Sequence, residues 1–166
     1  MKAVTLTAPG GLDKLVTGNI ADAAPPKAGE ITVRLRASSL NYHDYVVAIG
    51  QLKTADNRIP MSDGAGEVVA VGEGVTEFEV GNHVTSMFYP DWLMDEATPA
   101  TTKAIPGDTM DGYAREFVTA PARAFTRTPP EPWTSTLSPG LTPPATTSPR
   151  QAVRPAQESA AASAWL

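Results

Sequence analysis

A chain of 166 residues with a formal net charge of −5 and a pI near 5.0 is not built to hold nucleic acid or an anionic membrane. It contains no cysteine, which excludes disulfides, thiolate zinc sites and cysteine nucleophiles together. Its 16 prolines are unevenly placed, eight of them between Pro129 and Pro155, so the chain divides into two parts with different physics.

Ala3 to Leu6 reads as a first strand, Pro9-Gly10-Gly11 as a turn and Leu15 to Ile20 as a weak second strand. Met1-Lys2-Ala3-Val4-Thr5 enters this pattern without a signal-peptide layout, and no apolar run approaches the roughly 18 residues of a membrane helix. A soluble cytoplasmic protein is therefore expected. After the loop Pro25 to Gly29, the residues Ile31, Val33, Leu35 and Ala37 alternate with Thr32, Arg34, Arg36 and Ser38. Period two predicts a strand with one wet face. The stretch Asn41 to Ile49 predicts a short helix, with Asn41 as N-cap, Asp44 near the positive end and Gly50 closing it. Gln51 to Arg58 is a polar loop.

The stretch from Ile59 to Val84 organises the rest. Glu67 to Val71 predicts a buried strand between the glycine pairs Gly64/Gly66 and Gly72/Gly74, which read as tight turns ending strands. Gly81-Asn82 turns into another apolar run, Val84 to Phe88. Tyr89 to Asp111 is a long polar loop, and such loops are functional or disordered. Gly112 to Thr119 predicts a further strand, and Ala122 to Phe125 a last short one. From Thr128 the periodicity stops. Residues 129–166 are rich in Pro, Ser, Thr and Ala, and such a segment buries too little surface to offset its ordering entropy.

Residues 1–128 resemble the N-terminal, GroES-like domain of the medium-chain dehydrogenase/reductase superfamily. The resemblance rests on Gly29-Glu30-Ile31-Thr32-Val33-Arg34-Leu35-Arg36-Ala37, Leu40-Asn41-Tyr42-His43-Asp44, Gly64-Ala65-Gly66-Glu67-Val68-Val69, Phe78-Glu79-Val80-Gly81-Asn82-His83-Val84 and Gly112-Tyr113-Ala114-Arg115-Glu116-Phe117-Val118, in that order and spacing. It implies a mainly β fold: a GroES-like, partly open β-barrel with one or two short helices, followed by a disordered tail. It also implies zinc-independent, NAD(P)H-dependent reduction of carbonyl or quinone substrates by hydride transfer. Zinc alcohol dehydrogenases carry Cys where this chain has Asn41, and a Gly-His-Glu motif where it has Met61-Ser62-Asp63; neither ligand is present here. The Asn41-Tyr42-His43-Asp44 version is similar to the quinone-oxidoreductase branch.

The family's Rossmann domain has no counterpart in the pattern. Gly72-Glu73-Gly74 is not its nucleotide turn, because Glu77 stands at the third glycine position and no helix pattern follows. Near Pro130, where the family continues into an Ala/Leu-rich helix, this chain enters Trp133-Thr134-Ser135-Thr136. A truncated or frame-shifted product, inactive alone and not binding NADPH, is the expectation. The rivals are a non-enzymatic GroES-like module that dimerises or binds another protein through an exposed apolar face, and a non-functional fragment.

The resemblance assigns Asn41, Tyr42, Asp44 and Ser62 to the cleft where cofactor and substrate meet, with His43 as proton donor. Each has a plainer reading. Asn41 and Asp44 are an N-cap and its first-turn carboxylate, a role compatible with a site. His43 on a short exposed helix is polar surface, and His83 is structural or solvated. A metal site from His43, Asp44 and Asp63 lacks ligand spacing. Asp91, Asp95, Glu96, Asp108 and Asp111 read as a solvated loop face, without calcium-loop spacing. Ser62 has no paired base nearby in sequence, so it is not read as a nucleophile.

Overall fold

In the computed structural model, which describes residues 1–128, the chain runs through β1 (Lys2–Leu6), β2 (Leu15–Asn19), β3 (Glu30–Ala37), α1 (Tyr42–Ala48), β4 (Ala65–Val71), β5 (His83–Ser86), β6 (Phe117–Pro121) and β7 (Phe125–Arg127). Single 3-10 turns precede β2 at Leu12–Lys14 and β7 at Ala122–Ala124. The fold is mainly β with one helix, as the pattern implied. The expected tail and the lost frame near Pro130 lie outside the described residues.

β1 and β2 form a hairpin, and the other strands form a five-stranded antiparallel sheet in the order β6-β3-β4-β5-β7. Strands β6 and β7 are consecutive in sequence yet lie at opposite edges. Laid flat, five strands would set those edges roughly 19 Å apart. Pro121 to Phe125 is four Cα steps, which span at most about 15 Å. The sheet must therefore curl towards closure. Among the described residues no ladder joins β6 to β7, so the barrel stays partly open.

The core fills the inside of this curl. Ile31, Val33 and Leu35 of β3 meet Val68, Val84, Val118 and Phe125 from the other strands of the sheet, all of them buried. Burying one such side chain contributes about 1.5–3 kcal/mol, so this row supplies most of the sheet's cohesion.

Four expectations need correction. The wet face of β3 is partly covered: Thr32 is buried because its hydroxyl pairs with that of Thr119 at 2.8 Å, and Thr119 in turn donates to the Ala24 carbonyl at 2.7 Å. The central strand is not buried throughout. Val68 faces the core at 0% exposure, but Val69 is 36% exposed and Glu67 lies 3.5 Å from Arg36. The strand expected at Gly112 begins at Phe117. The residues before it change partners, with Gly112 donating to Ile59 at 2.7 Å and Glu116 to Lys2 at 3.1 Å, and this bends the chain. Ala122 to Ala124 form a 3-10 turn rather than a strand.

The glycines Gly64 and Gly66 do not make a turn either. They permit close approach. A Cβ on Gly66 would sit 2.1 Å from the Arg34 carbonyl oxygen, across the β3–β4 ladder, and one on Gly64 would sit 2.7 Å from the Tyr113 ring. Gly74 differs, with φ of +78° and open space around it. Gly66→Ala is thus expected to cost about 3 kcal/mol or more, since a neighbouring backbone must move. Gly74→Ala carries only the left-handed penalty of about 1 kcal/mol. Urea unfolding of the two variants measures the difference, and equal costs would contradict the packing argument.

Candidate functional site

Asn41 precedes α1 in extended backbone, φ −94° and ψ 156°, as an N-cap requires. Asp44 turns back, and its Oδ2 accepts the Asn41 amide at 2.9 Å, one arm of a capping box. Its second oxygen leaves the helix. Oδ1 accepts the Ser62 amide at 2.8 Å, so one carboxylate, 4% exposed, joins α1 to the loop before β4.

That loop is held in a strained path. Met61 has φ of +77°, the left-handed region that side chains rarely adopt. Backbone bonds fix it there: Tyr113 donates to the Met61 carbonyl at 2.9 Å and Ala114 to Pro60 at 3.1 Å. The next two residues thereby face the start of α1. The Asn41 side-chain amide spends both hydrogens on them, donating to Ser62 Oγ at 2.9 Å and to Asp63 Oδ2 at 2.9 Å. Ser39 donates to the same Asp63 oxygen at 2.9 Å, and Ser38 donates to the Asp63 backbone carbonyl at 2.6 Å.

This polar cluster borders a cleft of about 340 Å³ whose lining includes Ser38, Ser39, Asp63, Gly64, Thr85 and Ser86. The structure brings Asn41, Asp44 and Ser62 together. Ser62 is fully buried, so it supports the cleft from beneath. Tyr42 and His43 do not join them. Tyr42 is 78% exposed and tilts against Tyr45. His43 packs its ring edge-on to Phe88 at 5.4 Å and places Nε2 3.4 Å from Asp108 Oδ2. That nitrogen is buried and has no hydrogen-bond partner among the described residues.

Pattern reading missed two neighbours of these residues, Asp63 as a hub and Asp108 beside His43. Asp108 was placed on a solvated loop face, and that reading is corrected. Its side chain is 12% exposed, Asp111 pairs with Arg58 at 2.8 Å, and Asp91 pairs with Arg123 at 3.0 Å. Contacts across 32 to 65 positions leave no local signal. His43, Asp44 and Asp63 do not converge on one point, and among the described residues no group of three His, Cys, Asp or Glu could hold a metal ion.

An alcohol dehydrogenase GroES-like domain matches residues 27–130. The chain belongs to this family. The GroES-like domain is 37% identical over 103 residues to a zinc-type alcohol dehydrogenase-like protein of Schizosaccharomyces pombe, covering 61% of this chain and 30% of that protein. It superposes with a TM-score of 0.66 at 26% identity on a cobalt- and zinc-bound thermostable alcohol dehydrogenase from Pyrobaculum aerophilum, covering 79% of this chain and 42% of the other. A quinone oxidoreductase of Pseudomonas syringae shares the fold, with a TM-score of 0.59 at 23% identity over 78% of this chain and 34% of that one. The chain thus spans well under half the length of these relatives.

In this GroES-like domain the two positions that the resemblance aligns with zinc ligands, Asn41 and Ser62, are hydrogen-bonded to each other. An amide, a hydroxyl and a carboxylate already committed to one another do not fit a zinc ion, which prefers thiolate and imidazole. The relatives named here carry alcohol dehydrogenase and quinone oxidoreductase names.

Two outcomes are expected. Asp44→Ala strips two amides of their buried acceptor and is expected to cost about 2–4 kcal/mol, measured by chemical denaturation. Burial pushes the Tyr113 phenol up to about 12, while the Ser86 hydroxyl and the Arg115 charge oppose the rise and Asp63 adds to it. A raised folded-state value keeps its stability contribution intact below the unfolded value of about 10 and loses it as pH climbs from there through the folded value. Melting temperature is therefore expected to fall steeply between about pH 10 and 12, and less steeply in Tyr113→Phe.

Proposed function

We propose that this domain is the substrate-facing half of a zinc-independent oxidoreductase that reduces small carbonyl or quinone compounds with hydride from NAD(P)H. The observation that carries the zinc-free part is the direct bonding of Asn41 to Ser62 and Asp63 at 2.9 Å each. The oxidoreductase part rests on the family. In this reading a nicotinamide bound by a companion domain supplies the hydride.

The described residues do not themselves fit a dinucleotide. Gly72-Glu73-Gly74 follows β4 in a turn and leads to no helix, so it lacks the dipole and amides that hold a pyrophosphate. What this chain contributes is the other wall. Asp44 locks the start of α1 against the Ser62 loop, Ser38, Ser39, Asn41 and Asp63 hold the floor rigid, and the Thr85 hydroxyl lines the cleft as a donor for a substrate oxygen. Tyr42, which the resemblance also assigns to the cleft, is exposed and packs against Tyr45. Reduction of a carbonyl requires a proton on its oxygen, and the family resemblance assigns that donation to His43, whose ring packs on Phe88. Asp108 lies 3.4 Å from its Nε2 without a hydrogen bond between them.

Two measurements test this. Titration of the purified chain with NADPH, followed by nucleotide fluorescence, is expected to show no saturable binding; micromolar affinity with turnover would overturn the division of labour. Metal analysis after purification is expected to find no stoichiometric zinc, and chelator is expected to leave the melting temperature unmoved. One equivalent of tightly held zinc would sink the metal-free reading.

A non-enzymatic, self-associating module is the second reading. Its support is the exposure of large apolar side chains, Leu40 at 73%, Tyr42 at 78% and Met94 at 74%. Sedimentation that depends on concentration in the absence of cofactor favours this module.

A further inference from the structure

The β1–β2 hairpin has one covered edge and one open edge. Even-numbered residues of β1 bond away from β2: Val4 donates to Ala114 at 2.8 Å, Leu6 donates to Arg58 at 2.8 Å, and Lys2 accepts from Glu116 at 3.1 Å. Within the hairpin, Ile20 donates to Met1 at 2.9 Å, the Met1 ammonium donates to Ile20 at 3.0 Å, and Thr7 donates to Lys14 at 3.1 Å. Antiparallel pairing alternates, so Gly18 and Val16, opposite Ala3 and Thr5, also turn their backbone groups to β1. Leu15, Thr17 and Asn19 therefore turn theirs outward. Among the described residues no strand pairs with that side.

An open edge is a template for another strand, and natural sheets blunt it with proline, lysine or a bulge. Leu15-Val16-Thr17-Gly18-Asn19 contains no proline and no charge, and its register with β1 runs without a bulge. Val16 is 52% exposed, and a Cβ at Gly18 would meet nothing within 4 Å, so the face beside this edge is open as well. Lys14, Val16, Gly18, Ile20 and Asp22 stand at alternate positions along it. From Gly18 in either direction an apolar residue comes first and a charge second, and the two charges are opposite. Lys14 lies 3.4 Å from Asp13, and Asp22 engages the Met1 ammonium through Oδ1 alone, so both remain exposed to a partner.

We propose that β2 pairs antiparallel with β2 of a second copy of this chain, about a two-fold axis at Gly18, so that the two hairpins form one continuous sheet. That axis sets Lys14 against Asp22 of the second copy and Val16 against its Ile20, and repeats both contacts at the other end. A parallel arrangement would set like charge against like. The same register brings the outward residues opposite one another: Thr17 faces Asn19 of the second copy, and such a pair exchanges both backbone bonds. Gly18 faces its own counterpart in a non-hydrogen-bonded pair, where the strands come closest and a side chain is least welcome. No residue of β2 lines the Ser38–Ser86 cleft, so the contact leaves the proposed chemistry untouched.

The test is sedimentation of the full chain, with two kinds of variant. A strand-edge contact this short buries little area, so a monomer–dimer equilibrium near a dissociation constant of about 100 µM is expected. Thr17→Pro removes an outward N–H and no bond to β1, and is expected to weaken association about tenfold or more while the circular dichroism of dilute protein stays that of the parent. Since that variant can fold poorly, a cross-link gives an independent reading. The chain has no cysteine, so Gly18→Cys introduces a single thiol. The expected Cα separation of about 4.5 Å across the axis suits a disulfide between copies, which mild oxidation is expected to form. Val16→Cys, whose counterpart is Ile20, is expected to stay largely reduced. A monomer at every concentration, association undiminished in folded Thr17→Pro, or equal cross-linking through positions 16 and 18 would each overturn the proposal.

Discussion

The Asp44 carboxylate is the constraint on which the site depends. It is buried, it lies in the first turn of the only helix among the described residues, and each of its oxygens accepts a different backbone amide. One bond starts α1 and the other fixes the loop at Ser62. A charge taken out of water is tolerated only when such bonds replace its hydration. Because the two amides belong to segments 21 positions apart, the carboxylate converts a local capping need into a tertiary joint.

The rest of the site follows from that joint. With the loop fixed and Met61 forced to φ of +77°, Ser62 and Asp63 face the Asn41 amide, which has two hydrogens and finds two acceptors. Asn41, Ser62 and Asp63 are satisfied by hydrogen bonds among themselves. Replacing thiolate and imidazole by groups left unpaired would bury unsatisfied polar atoms, whereas amide, hydroxyl and carboxylate complete one another. The same accounting sets two buried nitrogens apart, His43 Nε2 and Arg115 Nε, which find no partner among the described residues.

Barrel curvature couples these features to the core. The short Pro121–Phe125 connection brings opposite edges of the sheet together, and the curl it enforces gives Ile31, Val33 and Leu35 a concave surface to fill. Close approach at Gly64 and Gly66 belongs to the same geometry. Neighbouring backbone and the Tyr113 ring can lie against the start of β4 only where no Cβ intervenes.

Sequence by itself determined what is local. Period two along Ile31–Ala37 gave strand β3, and the Asn41-x-x-Asp44 spacing gave the capped helix, because side-chain direction and cap chemistry act within a few residues. Absence of cysteine settled the exclusion of thiolate ligands before any folding was considered. Only the tertiary structure decided that Asp44 also reaches Ser62, that Asp108 is drawn from a polar loop to His43, that Thr32 is covered by Thr119, and that Gly64 and Gly66 serve contact rather than turning. Each of those depends on which distant segment happens to arrive opposite, and that is set by the curl of the sheet, a property no short window of residues contains.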